Sequence, residues 1–188
     1  MCKSSHFTVS NQENSEKFQF SPVKNFKVEA TTDAMNLSSH GGLLMLRQEE
    51  EHLALASQLA SCIEDRRTPC LIRHDLTEII MTRIFQICLG YEDVNDCDRL
   101  SCHTFKANRL RIFIYAAANI LMHSMRERAL RETSLEKASI LTIWEKLLLY
   151  AVAVRILKTK VILDFAKCHP IKNELRHTLH YYSVRDII

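Results

Sequence analysis

Four acids crowd one short stretch of the chain: Glu92, Asp93, Asp96 and Asp98. Carboxylates at that density could hold a divalent cation through oxygen ligands. The stretch lacks the glycine pivot and the twelfth-position Glu of a calcium loop, so it also reads as a solvated acidic loop ahead of a helix. Cys97, Cys102, His103, Cys168 and His169 offer zinc-type ligands. Structural zinc sites are built from close pairs, whereas here a C-x4-C spacing is followed by a long interval before Cys168-His169. The chain contains no Gly-rich phosphate loop, no G-x-S-x-G elbow and no H-E-x-x-H. The residues by themselves therefore assign no catalytic group and no metal centre. His74 and His123 read as structural, Trp144 as a core residue, and Glu49-Glu50-Glu51 as acids at a helix start, where negative charge suits the dipole.

What would position any site is mostly helical. The 188 residues hold only 3 Gly and 3 Pro, and 47% are hydrophobic, enough for a buried core with few tight turns. Seven scattered Cys without a C-x-x-C pair read as reduced thiols packed as small hydrophobes. Residues 1–24 are polar and read as an arm, and the alternation in "NFKVEAT" suggests a short strand. Helices are expected after Gly41-Gly42, through Leu53, Ala56, Leu59, Ala60 and Ile63, and over "DLTEIIMTRIFQICLG". In the last of these, Asp75 and Glu78 make a capping-box pair, Leu76, Ile79, Ile80, Ile84, Ile87 and Cys88 form a stripe, and Gly90 is a stop. A long helix runs from Thr104 to about Glu132, with Phe113, Ala117, Ile120 and Leu121 at helical spacing. "SILTIWEKLLLYAV" reads as helix. "AVAVRILKTKVILDFA" reads as a β-hairpin turning at Lys158-Thr159, and a last helix starts near Pro170.

Charge is unevenly spread. Residues 1–100 carry 10 Lys/Arg against 15 Asp/Glu, and residues 101–188 carry 15 against 7. The second half is compatible with a polyanionic partner, or with ordinary solvated helix faces. No apolar run reaches the roughly 20 residues needed to span a bilayer, and the N-terminus lacks an apolar secretory core. The expected location is the cytoplasm, with no membrane partner.

Four stretches carry a resemblance. "VEATTDAMNLSSHGGLLMLRQ" and the run "RHDLTEIIMTRIFQICLGYEDVNDCDRL" resemble the N-terminal region of DDE-type transposases of bacterial insertion sequences. "DRLSCHTFKANRLRIFIYAAANILM" and "HPIKNELRHTL" resemble the part that follows the catalytic domain in that family. The resemblance implies that an RNase H-like core with three metal-binding carboxylates belongs between the two parts. Here they meet at a single Asp98-Arg99-Leu100, as an internal deletion between short similar segments would leave them.

On this reading the chain is a transposase remnant without catalytic residues. A divalent metal such as magnesium is expected only for an intact member. Phosphate contacts would fall to Lys106, Arg109, Arg111, Arg126, Arg128, Lys158 and Lys160. Possible partners are DNA, an intact transposase or a second copy. Two alternatives are a residual DNA-binding or dominant-negative regulator and a small helical interaction protein. The expected fold is mainly α: an irregular helical assembly with a short N-terminal strand and a C-terminal β-hairpin, lacking most of the RNase H-like core. Its expected divisions are a polar arm (1–24), an N-terminal helical region (25–100) and a C-terminal helix-plus-hairpin region (101–188).

Overall fold

A computed structural model describes residues 17–34, 40–90, 105–166 and 170–185. The acidic loop, Cys97, Cys102, His103, Cys168 and His169 lie outside the described residues, as does the junction at residues 98–100. The molecule is mainly α, as expected, and its strands form one small four-stranded sheet.

Strands β1 (Phe18–Val23) and β2 (Phe26–Ala34) form an antiparallel hairpin. Lys24 makes the turn in the left-handed region, with φ of 53°. The polar-arm reading therefore fails for residues 18–23. Phe18 and Phe20 alternate with Gln19 and bury opposite Ala30 and Val28, a period-two signal too short to stand out in a polar context. The C-terminal hairpin forms where expected, from β3 (Val152–Ile156) and β4 (Lys160–Ala166).

The two hairpins are one sheet, in the order β1-β2-β4-β3. Its centre is a parallel pairing of β2 with β4, with Val28 opposite Val161 and Ala30 opposite Leu163. Strands from before and after residues 98–100 thus share one hydrogen-bond ladder. Polar pairs reinforce it: Lys160 meets Glu29 at 2.8 Å. Buried Asp164 accepts from Thr31 Oγ1 and pairs with Arg155 at 2.5 Å.

Helix α1 (Leu43–Leu53) starts against residues 147–150, where Gly41 N–H donates to Tyr150 O and Gly42 N–H to Leu148 O. Helix α2 (Leu55–Ser61) follows after a break at Ala54, with φ of 52°. The Glu50 carboxylate accepts from Leu55 N–H and Ala56 N–H and so caps α2. Burial raises the Glu50 pKa, and these two backbone donors hold it back. The acids at 49–51 therefore do not open a helix. They sit in the second half of α1, and Glu49 and Glu50 are buried.

Helix α3 (Leu76–Cys88) is capped by the Asp75 side chain, which accepts from Glu78 N–H at 2.6 Å. Its inner face is Ile80, Ile84 and Cys88, and Ile79 is outside. Helix α4 (Phe105–Arg128) buries Ile114, Ala117, Ala118, Leu121, Met122 and Met125. Phe113 and Ile120, read as part of that stripe, are each 50% exposed, because they project from the opposite side of the helix. After α5 (Ile140–Ile143), Trp144–Leu148 is wound as one π turn, closed by Leu149 N–H to Trp144 O. Trp144 is only half-buried, and its indole N–H has no partner among the described residues. Helix α6 (Lys172–Arg185) lies against β1 and α1 and closes the core with Leu175, Leu179 and Tyr182.

Cys88 packs between α3 and α4, its thiol directed at Ala118 O. Burial pushes that thiol from an ordinary value near 9 up to about 12, against a small opposing backbone hydrogen bond. A raised acid pKa contributes stability below the unfolded pKa and loses it as pH rises toward the folded value. Alkylation at pH 8 to 9, mapped by mass spectrometry, should label the exposed Cys62 and Cys70 and spare Cys88 until denaturant is added. Equal labelling of Cys88 in the native protein would contradict this packing.

Candidate nucleic-acid interface

The seven cations expected to face phosphate fall in three places. Lys106 and Arg109 are exposed near the start of α4, and Arg109 lies over the Phe105 ring at 5.9 Å. Arg111 is half-buried and already engaged. Lys158 is exposed at the β3–β4 turn, beside Lys160, which is paired with Glu29. Arg126 and Arg128 lie in the last turn of α4, where cations suit the helix dipole. From Lys106 to Arg126 is about 30 Å along the helix, so the two ends of α4 are separate surfaces.

Arg128 is turned inward. Its guanidinium pairs at 3.1 Å with Glu49, whose side chain is fully buried. Ser124 Oγ donates to the same carboxylate, and Tyr182 OH donates at 3.0 Å, so α1, α4 and α6 meet at one acid. Burial works against the Arg128 charge, but Glu49 and the neighbouring tyrosines hold its pKa up.

Arg126 is placed differently. With Arg131 and Lys137 it lines a cleft of about 520 Å³, together with Glu127 and Glu136. The chain folds back here because Glu132 takes a φ of 65° and Glu132 N–H donates to the Glu136 carboxylate. Glu127 faces His123 at 3.4 Å. Both acids thus have local partners, while Arg126, Arg131 and Lys137 carry no ion pair among the described residues. Three cations around one concavity suit a phosphate group. Arg131 falls within the helix expected to run to about Glu132, so its place near Arg126 is legible in the sequence. That of Lys137 is not, because only the turn at Glu132 brings it near Arg126.

A second, apolar cleft of about 440 Å³ lies on the same flank of α4, between Tyr115, Asn119, Met122, Ile87, Leu141 and Trp144. It holds no titratable group suited to acid–base chemistry.

The described residues do not fit a two-cation centre. Such a centre needs carboxylates converging within a few ångströms, about 3.5–4 Å between metals. The buried acids are dispersed, and each is occupied: Glu49 by Ser124, Arg128 and Tyr182, Glu50 by the start of α2, Asp164 by Thr31 and Arg155. Among the described residues no three His, Cys, Asp or Glu side chains are grouped to hold a metal.

Comparison with known proteins adds the family. The family model described as "Transposase DDE domain group 1" matches residues 20–100 and again residues 96–184. No curated protein and no solved structure matches the chain. The two matched ranges together run from residue 20 to residue 184, well over half of the chain, so this chain belongs to the transposase DDE domain group 1 family.

Proposed function

We propose that the chain is an internally shortened insertion-sequence transposase that has lost DNA cleavage and retains phosphate-directed DNA binding at the Arg126–Arg131–Lys137 cleft. One observation carries this reading. A single family model matches in two pieces that overlap only at residues 96–100, where the sequence reading puts the fusion. The resembled family keeps its three metal-binding carboxylates between those pieces. The buried acids on either side are committed to structural partners, so the described residues offer strand transfer no metal centre.

A second reading, interference with an intact transposase in the bacterial cytoplasm, is favoured by the β2–β4 pairing. That ladder ties the two flanking pieces into one core, and a folded remnant persists long enough to occupy DNA ends or partner molecules.

The test is a mobility shift of duplex DNA by the purified 188-residue chain across a salt series, with magnesium incubation of the same samples. Retention should weaken steeply with salt. Replacing Arg126, Arg131 and Lys137 with Gln should flatten the log–log slope by about two to three, one unit per lost phosphate contact. The duplex should stay unnicked. Magnesium-dependent nicking would refute the loss of cleavage, and an unchanged slope in the triple variant would refute the cleft. Tighter retention of insertion-sequence ends than of random duplex would favour the regulatory reading.

A further inference from the structure

Helix α4 is apolar on two opposite sides. Its inner side is filled by Ile114, Ala117, Ala118, Leu121, Met122 and Met125. Its outer side carries Phe105 at 77% exposure and Ile112, Phe113 and Ile120 at 50% each, with exposed Ala116 among them. A second apolar strip on a helix whose first is already in the core is a surface suited to further packing. Along the axis this outer strip runs about 22 Å, too long for scattered surface hydrophobes.

The order of residues on the strip points to what covers it. Ala116 is at the centre of its Ile112–Ile120 segment, the smallest side chain where two helices would cross most closely. Ile112 and Ile120 flank it one turn away on either side. Farther out the strip is charged with opposite sign at its two ends: Arg109 toward the start, Glu127 toward the finish. The Ile112–Ile120 segment complements its own reverse, with Phe105 and Phe113 at the margins of the pairing. An antiparallel copy centred on Ala116 sets Ile112 against Ile120 in both halves and brings each Arg109 within a turn of the other copy's Glu127. Parallel stacking would instead juxtapose like charges.

We propose that the outer face of α4 is the docking surface for a second copy of this chain, in a two-fold symmetric, antiparallel α4–α4 pair. The two-fold axis of such a pair lies in the interface, perpendicular to both helices, so a given flank of α4 faces the same way in both copies. Arg126 lies on a flank, ten residues beyond Ala116. The pair therefore presents both basic clefts on one side, about 30 Å apart along the helices. That is close to the roughly 34 Å of one duplex turn. This last consequence rests on the proposed DNA reading, whereas the pairing does not.

Sedimentation equilibrium of the full chain without DNA reads the pairing alone. The wild type should give twice the monomer mass. Ile112→Asp with Ile120→Asp should give a monomer whose circular dichroism matches the wild type, since both side chains are half exposed. Arg109→Glu should raise the dimer dissociation constant about tenfold, and adding Glu127→Arg should restore it. A monomeric wild type, a mass beyond a dimer, a doubly substituted chain that still dimerises, or a charge swap without rescue would each overturn the proposal. Loss of DNA retention with the dimer intact would count against the DNA reading only.

Discussion

Substituting Gly42 with alanine should cost about 3–5 kcal/mol of folding stability, enough to leave much of the protein unfolded. The reason is space, not backbone freedom. Gly42 has an ordinary helical φ of −66°, which any residue adopts. A Cβ there would stand 2.4 Å from Leu148 Cα and 3.0 Å from Leu147 O, both backbone atoms that cannot swing aside. Gly41 is as tight, with Tyr150 O at 2.7 Å from the added carbon. These contacts exist because the start of α1 is hydrogen-bonded directly to the 148–150 backbone. Overpacking a flexible side chain costs about 1–3 kcal/mol, and backbone against backbone should exceed that. Urea unfolding followed by circular dichroism reads the change. Leu43→Ala, one residue on and 38% exposed, should lose about 1 kcal/mol or less and serves as the control. If Gly42→Ala melts with the wild type, the docking of α1 on the π-turn segment is wrong.

This pair of glycines also marks how far the sequence could be read. Gly41-Gly42 was legible as the stop before a helix, and α1 starts there. Its closeness to residues 148–150 was not, because a hundred intervening residues leave no local trace of a contact. Where structure is written locally, the sequence carried it. The Asp75 cap, the Gly90 stop and the Lys158-Thr159 turn each satisfy backbone groups within a few residues. Where it is written at long range, periodicity fell short. Two antiparallel hairpins were half visible, but their parallel junction through β2 and β4 was not. On α4 the helix itself was plain. Which of its two apolar sides faces inward was not, since Phe113 and Ile120 fit a stripe as well as Leu121 does. The candidate cations show the same division. Positions on α4 could be listed, but the pairing of Arg128 with Glu49 and the arrival of Lys137 beside Arg126 depend on folding.

Glu49 is the residue whose loss should tell most about how the two family-matched ranges hold together. It lies on α1, in the first of them, while Ser124, Arg128 and Tyr182 all lie in the second. Glu49→Ala would strand a guanidinium and a buried phenol while removing the acid, and should cost about 3–5 kcal/mol. Glu49→Gln keeps an acceptor of the same size and should cost about 2 kcal/mol, through the lost charge alone. Coupling separates this account from simple cavity formation. In a double-mutant cycle of Glu49→Gln with Tyr182→Phe, the two losses should fall short of additive by about 1 kcal/mol. Alkaline pH offers an independent reading. Burial first, then the nearby Glu49 charge, raises the Tyr182 pKa well above 10. The folded chain therefore keeps a proton that the unfolded chain sheds near pH 10, and stability should fall as pH rises beyond that. In Glu49→Gln the charge that adds to the shift is gone, so this alkaline decline should be shallower. An additive cycle with an unchanged alkaline limb would mean that Glu49 only fills space, and that the sheet, the α1 start on residues 148–150 and the α3–α4 packing hold the core together without it.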